Sequence, residues 1–243
     1  MIHKTRGIVL HSFRYGETSV IARVFTRELG MQSYLVPGVR KTRSKIKSNL
    51  FRPLTPVDMV VYYKGKEGLS RIREITCPEP FTSIPYDILK SSIAIFLSEI
   101  LSKCFKEQDP HPLLFDFIKE ALQYLDQTKA RVSDFHLVFL MELSAHLGFQ
   151  PRNNYDALHC YFNLREGQFE RSFEGSDICL DKEMSRMFHQ VNATSCTGLD
   201  QLHVPAELRR ALLKKTIAYF QYHHTGLGEI KSLGVLEAVL KPS

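Results

Sequence analysis

The stretch Gly38-Val39-Arg40-Lys41-Thr42-Arg43-Ser44-Lys45-Ile46-Lys47-Ser48-Asn49-Leu50-Phe51-Arg52 carries six cations and no acid. Thr42, Ser44, Ser48 and Asn49 interleave them with neutral donors. Ammonium and guanidinium groups attract phosphate oxygens, and hydroxyls and amides hydrogen-bond to them, so this composition suits the grip of a polyphosphate backbone rather than the reading of bases. The plain alternative is a solvated loop whose charge only keeps it in water. Arg14, Arg23, Arg71 and Arg73 fall at positions expected to point outward from flanking strands and would extend the same positive surface. Tyr15 and Phe51 stand in connections beside Arg14 and Arg52, which makes them the candidates for stacking on bases. Phe13, Phe25, Tyr34, Tyr62 and Tyr63 lie in strand-like runs and are read mostly as core. If the six cations each neutralise one phosphate, affinity for a single strand falls with a log-log salt slope of about −4.

Constellations that would support catalysis are weaker. Glu229-x-Lys231, with Asp200 or Glu207 upstream, matches the acidic-x-Lys tripeptide of some metal-dependent nucleases, but it stands in helix and loop sequence rather than in a strand. No Gly-x-Ser-x-Gly, phosphate-binding Gly-rich loop with Lys, or His-Glu-x-x-His pattern occurs. The cysteines at 77, 104, 160, 179 and 196 are an odd number, never closer than 17 residues, so neither a disulfide framework nor a Cys-x-x-Cys site is indicated. The ten histidines are scattered. The expectation is a protein with no catalytic residue, no cofactor and no metal. The helix expected from Pro205 carries Arg209, Arg210, Lys214 and Lys215 beside Leu208, Leu212 and Leu213. These cations are read either as a solvated face over core leucines or as the rim of an apolar groove.

The elements that must position these residues change character along the chain. Residues 1–80 hold 15 Lys and Arg against 6 Asp and Glu, a net of +9, whereas the remaining 163 residues carry 17 against 20, a net of −3. A strongly basic first third on a slightly acidic remainder implies that one module meets a polyanion. Five short runs rich in Val, Ile, Tyr, Phe and Thr predict strands at Thr5 to Phe13, Ser19 to Thr26, Met31 to Val36, Val57 to Tyr63 and Leu69 to Thr76. In the second, Val20, Ala22 and Val24 alternate with Arg23; in the fifth, Ile72 lies between Arg71 and Arg73. Five strands with a long connection between the third and fourth fit an OB-fold barrel better than a sandwich, with a small SH3-like barrel as the alternative.

From Pro85 the apolar period becomes helical: Ile88, Leu89, Ile93, Phe96, Leu97, Ile100, Leu101, Cys104 and Phe105, with Ser83 as the expected N-cap. A second helix follows Pro112, with Leu114, Phe117, Ile118, Ala121, Leu122 and Leu125 on its stripe. A third runs from Ser133 to Leu147 and stops at Gly148, so that three helices with short loops predict a bundle. A small hairpin at about 157–175 precedes helices at Asp181 to Val191, Pro205 to His224 and Ser232 to Leu240. The fold class is α+β multidomain: an OB-fold β-barrel at 1–80 that binds nucleic acid, then a helical domain at 81–243 with the inserted hairpin. No apolar run approaches the roughly 20 residues that span a bilayer, and the start lacks the apolar region of a signal peptide, which predicts a cytoplasmic protein without a membrane partner.

Gly7-Ile8-Val9-Leu10, Tyr15-Gly16-Glu17, Val24-Phe25-Thr26 with Gly30, Gly38-Val39-Arg40-Lys41 and the strand pair ending near Glu74 together resemble the recombination mediator family RecO. The resemblance is strongest over residues 5–76 and continues more loosely to Tyr219, Tyr222 and Leu236. It implies a repair and recombination protein that binds single- and double-stranded DNA, anneals complementary strands, and works with RecR to load RecA onto strands coated by single-strand-binding protein. It also implies that the helical domain binds the acidic, apolar-ended tail of that coating protein, which gives the groove rimmed by Arg209, Arg210, Lys214 and Lys215 an expected occupant. Many members of the family carry two Cys-x-x-Cys pairs around the inserted hairpin; here Cys160 has only His159 beside it, and Cys179 and Cys196 stand apart. The expectation is therefore a zinc-free hairpin held by Tyr161, Phe162, Leu164, Phe169 and Phe173. An RNA-binding OB module and, further off, a metal-dependent nuclease are the rival readings.

Overall fold

The computed structural model describes residues 1–41, 46–63, 65, 68–105, 109–173, 175 and 177–240. Five strands, β1 (Ile2–Tyr15), β2 (Ser19–Thr26), β3 (Gly30–Val36), β4 (Pro56–Tyr62) and β5 (Ser70–Thr76), close into a barrel of order β1-β2-β3-β5-β4. All neighbours are antiparallel except β3 and β5, which run parallel through Tyr34↔Ser70 and Leu35↔Arg71. This is the OB-fold expected from the strand count and the long third connection. The alternation read from sequence is the barrel's inside and outside: Val9, Val20, Ala22, Val24, Tyr34, Val36, Val57, Met59, Val61 and Ile72 form one buried cluster.

The opening strand is longer than its apolar pattern, because His3 and Lys4 pair with Val61 and Val60 while Lys4 itself stays exposed. A register shift between Val9 and His11 bends it, as a bulge does, so that one strand serves both β2 and β4. Gly7 sits where that strand crosses the core. A Cβ built there would meet Val24 Cγ1 at 2.5 Å and Met59 Cε at 2.9 Å, so only a glycine allows the close approach.

Two helices, α1 (Ile88–Cys104) and α2 (Pro112–Gln127), follow the barrel. They lie against its outer face: Phe25 meets Phe105 at 4.6 Å and Phe115 at 6.0 Å between ring centroids, and Ser98 Oγ donates to the Leu10 carbonyl. Arg27 forks onto the Asp116 carboxylate at 2.9 and 2.8 Å. That guanidinium holds the Asp116 carboxyl below its usual range. The N-cap of α1 is Asp87, whose side chain accepts from the Lys90 N–H at 2.9 Å, rather than Ser83. Ser83 belongs instead to a turn fixed by buried Asp126, whose carboxylate accepts from the backbone N–H groups of Thr82, Ser83 and Ile84. Burial would raise that carboxyl's pKa, but the donated hydrogen bonds outweigh it and lower the value. On α2, Phe115 takes the buried place expected for Phe117.

The chain divides into compact units Met1–Asp126 and Gln127–Ser243. In the second, α3 (Phe135–His146) is apolar on every side and buried accordingly, packed by α4 (Lys182–Asn192) and α5 (Ala206–His223), with a short α6 (Leu233–Val239) near the end. The expected hairpin is β6 (Tyr161–Asn163) and β7 (Gln168–Glu170), turned at Gly167 with φ 68°. Its edges are occupied: the Asn154 amide bonds both the N–H and the carbonyl of Phe169, and the Leu164 and Leu180 N–H groups donate to the Ile178 and Phe162 carbonyls. Phe162 stacks on Phe188 at 4.2 Å and meets Phe169 at 4.9 Å, in a cluster completed by Leu164 and Tyr219. Tyr161 and Phe173 pair at its edge, where Phe173 is exposed.

Candidate nucleic-acid interface

Strand pairing places outward residues of neighbouring strands in rows across the barrel. Phe13 pairs with Ile21, Ile21 with Leu35, Leu35 with Arg71, and Arg71 with Tyr62. Paired residues share a face, so this is one continuous band over all five strands. Phe13 and Tyr62, at its two ends, are each 44% exposed and Arg71 is exposed, whereas Ile21 within the band is buried. A parallel row sets His11 opposite Arg23 and Arg23 opposite Ser33. Tyr15, 53% exposed, closes the turn into Ser19. Flat rings and a guanidinium on a rigid sheet form the kind of platform on which the bases of a single strand stack.

The basic segment is tied to this sheet at both of its ends. At its entry, the Arg40 N–H donates to the Thr18 carbonyl at 3.1 Å and its guanidinium to the Glu17 carbonyl at 3.0 Å, which docks the loop on the β1–β2 turn. At its exit, a 3-10 turn at Ser48–Phe51 leads to Leu54, which exchanges backbone bonds with Val9 together with Thr55. Leu54 holds φ at 62°, a conformation uncommon outside glycine, and complete burial of its side chain compensates. Ser12 Oγ donates to the Phe51 carbonyl at 2.9 Å.

Electrostatics separate the barrel's cations into two kinds. Arg27 is bound to Asp116, Arg73 reaches Glu74 at 3.2 Å, and Arg23 donates to the Phe105 carbonyl at 3.4 Å. Arg14, Lys41, Lys47, Arg52 and Arg71 are exposed and have no carboxylate within ion-pair distance among the described residues. Arg40 is exposed and spends its guanidinium on a neutral carbonyl, so its charge also stays uncompensated. Arg43 and Lys45 lie outside the described residues.

Three expectations need correction. Phe51 is 4% exposed and belongs to the barrel's core cluster, so it cannot offer a face to a base. The 3-10 turn folds it inward, and the loop's polarity concealed that. Phe13 and Tyr62, read with the core, are instead the exposed rings of the outer band. Plain alternation puts Phe13 in phase with buried Val9, and the one-residue bulge between them turns it outward. Phe25 and Tyr34 are buried, and burial raises the Tyr34 hydroxyl's pKa. Third, Arg209 does not belong with the other α5 cations. Arg209 is buried, donating to Asp134 at 2.5 Å and to the Val204 carbonyl at 2.8 Å. It is a packed ion pair rather than a rim charge. Arg210 and Lys214 approach Glu237 at 3.2 and 3.7 Å, and Lys215 donates to the Asp177 carbonyl at 2.8 Å.

Among the described residues no group of three or more His, Cys, Asp or Glu is placed to hold a metal ion. Glu229 lies in loop rather than strand. No helix of the described chain is long and apolar enough to cross a membrane.

Residues 1–81 match the family model Recombination protein O N terminal, and residues 85–233 match Recombination protein O C terminal. The chain belongs to the RecO family. It is 34% identical over 243 residues to the DNA repair protein RecO of Phocaeicola vulgatus, covering 98% of each chain. To that of Flavobacterium psychrophilum it is 34% identical over 240 residues, covering 97% of this chain and 98% of the relative. The RecO protein of Azobacteroides pseudotrichonymphae is 30% identical over 239 residues, covering 98% and 99%. RecO membership places the chain in DNA repair and recombination, and the barrel described above is the OB-fold of its N-terminal part.

Proposed function

We propose that this protein is a non-catalytic recombination mediator that holds DNA, single- or double-stranded, on the open outer face of its barrel. It brings complementary strands together and acts with RecR to load RecA. One observation carries the reading: uncompensated cations on a loop anchored at both ends to the sheet that bears the exposed Phe13, Tyr15 and Tyr62. Two phosphate backbones repel each other, and a cationic surface that neutralises both lowers that barrel-side repulsion while rings hold unpaired bases open. In this reading residues 1–80 grip the strand and 81–243 provide helical support and partner surfaces, in a cytoplasmic setting.

The deciding experiment mixes complementary labelled oligonucleotides with the protein and Mg²⁺ or Mn²⁺. Duplex formation faster than the spontaneous rate, with the strands intact, is expected; cleavage would mark a nuclease. Matched RNA oligomers that compete as well as or better than DNA would favour an RNA-binding module instead.

On α5, a groove of about 220 Å³ is lined by Ala206, Leu213 and Leu240 with Arg210 and Glu237 at its side. An acidic, apolar-ended tail such as that of single-strand-binding protein would set its apolar end on the leucines and take Arg210 and Lys214 from Glu237. Glu237→Gln should then tighten tail-peptide binding. An unchanged affinity in both that variant and Arg210→Glu removes the groove from the partner surface.

A further inference from the structure

Beside the basic segment, within the first compact unit, lies an open cleft of about 330 Å³ that the outer band does not include. Its walls come from three places in the chain: Pro53 at the loop exit, Phe81 and Tyr86 in the turn before α1, and Ile95 on α1 itself. Asn49 and Arg52 stand at its edge. The volume is at the small end of the range, about 300–1,000 Å³, that holds small organic groups.

The apolar surface here is unusually exposed. Tyr86 is 84% exposed and Ile95 46% exposed, and Ile88, two turns before Ile95 at the start of α1, is open to solvent as well. The cleft is nevertheless built rather than loose. Asp126 fixes the turn 82–84 through three backbone N–H bonds, Tyr86 N–H donates to the Ser83 carbonyl at 2.9 Å, and buried Lys90 bonds Ser83 Oγ at 2.9 Å. Tyr86 is thereby presented on a rigid support.

The chemistry selects the occupant. No Asp or Glu lines the cleft, and its charged group is Arg52, which ends the cationic run and has no carboxylate partner among the described residues. A cationic or amine-bearing ligand would find no counter-charge there. A flat apolar ring attached to an anionic chain meets a proline and aromatic wall, an amide with both donor and acceptor, and a guanidinium for its phosphate. We infer that this cleft takes a nucleobase of the single strand gripped by the basic loop, with Tyr86 as the stacking ring and Arg52 on the adjoining phosphate. The inference rests on the proposed DNA-binding reading and adds a base site that the loop alone does not supply.

The chain contains no tryptophan, so Tyr86→Trp introduces its only indole and a direct optical probe. Oligo-dT should quench that fluorescence, whereas an abasic strand of equal length, bound to the same extent by anisotropy, should leave most of it. Equal quenching by both strands, or none from oligo-dT at saturation, overturns the base site. In parallel, Tyr86→Ala should weaken oligo-dT binding on the order of tenfold while leaving the abasic strand unaffected. Because Tyr86 is so exposed, an intact melting transition is expected for both variants. If Lys41→Ala with Lys47→Ala weakens DNA binding but Tyr86→Ala does not, the strand is held without the cleft and only this inference fails. If the lysine variant also binds DNA as before, the wider reading fails with it.

Discussion

Replacing Lys41, Lys47 and Arg52 by Ala should change how DNA affinity responds to salt, by an amount fixed by the charge inventory. Along the outer band and the described ends of the basic segment, six exposed cations have no carboxylate partner among the described residues: Arg14, Arg40, Lys41, Lys47, Arg52 and Arg71. Each phosphate neutralised on a single strand contributes roughly −0.7 to the log-log slope, so six give about −4 and three give about −2. Between 50 and 200 mM salt, the intact protein should lose about 300-fold in affinity and the triple variant only about 20-fold. The variants are exposed and outside the core cluster, so the fold should be unaffected. Fluorescence anisotropy with a labelled oligo-dT, titrated at four or more salt concentrations, measures both slopes. Equal slopes for the two proteins would refute the assignment of these charges to phosphate.

Phe13→Ala and Tyr62→Ala should each weaken single-strand binding by about 1–3 kcal/mol without altering that salt slope, since a ring contributes stacking and not charge; a changed slope with unchanged standard affinity would contradict the stacking role. Gly7→Ala forces a methyl into Val24 and Met59 and should cost about 1–3 kcal/mol in denaturant unfolding, with an unchanged midpoint arguing against the tight crossing. His136 is fully buried, and burial together with the nearby Arg209 cation lowers its pKa to about 3. The unfolded chain therefore binds the proton first, so stability is complete above about pH 6.5 and falls as pH drops toward 3, by about 2 kcal/mol at pH 5. His136→Gln or a similar isostere should flatten that part of the stability profile, and a wild-type profile already flat between pH 7 and 5 would count against it.

Much of the barrel could be read from residue order because its strands are short and half-buried, so polar and apolar side chains alternate with a period of two; Val20, Ala22 and Val24 against Arg23 is the plainest case. The cationic loop was legible for a different reason, since unbalanced charge needs no tertiary context to be seen. The aromatic residues were not, because the same ring serves a core or a platform. Phe51 and Phe13 exchanged their expected places through a 3-10 turn and a one-residue bulge, neither of which has a pattern of its own. Likewise Arg209, Arg210 and Lys214 look alike along α5, and only the approach of Asp134 and Glu237 from distant positions distinguishes a buried pair from surface charges. The α1 cap moved from Ser83 to Asp87 because Asp126, over forty residues away, claims the earlier turn.

Closure of the barrel through β1 has a consequence for synthesis. Gly7 to Tyr15 pair with the strand that follows within one hairpin, but Ile2 to Ile8 pair with Pro56 to Tyr62, some fifty residues later in the chain. While the polypeptide is emerging, the opening strand therefore carries an unsatisfied hydrogen-bonding edge until β4 has left the ribosome, and the positively charged segment is translated inside that interval. A nascent chain paused there exposes a sticky strand margin and a cationic tail at once.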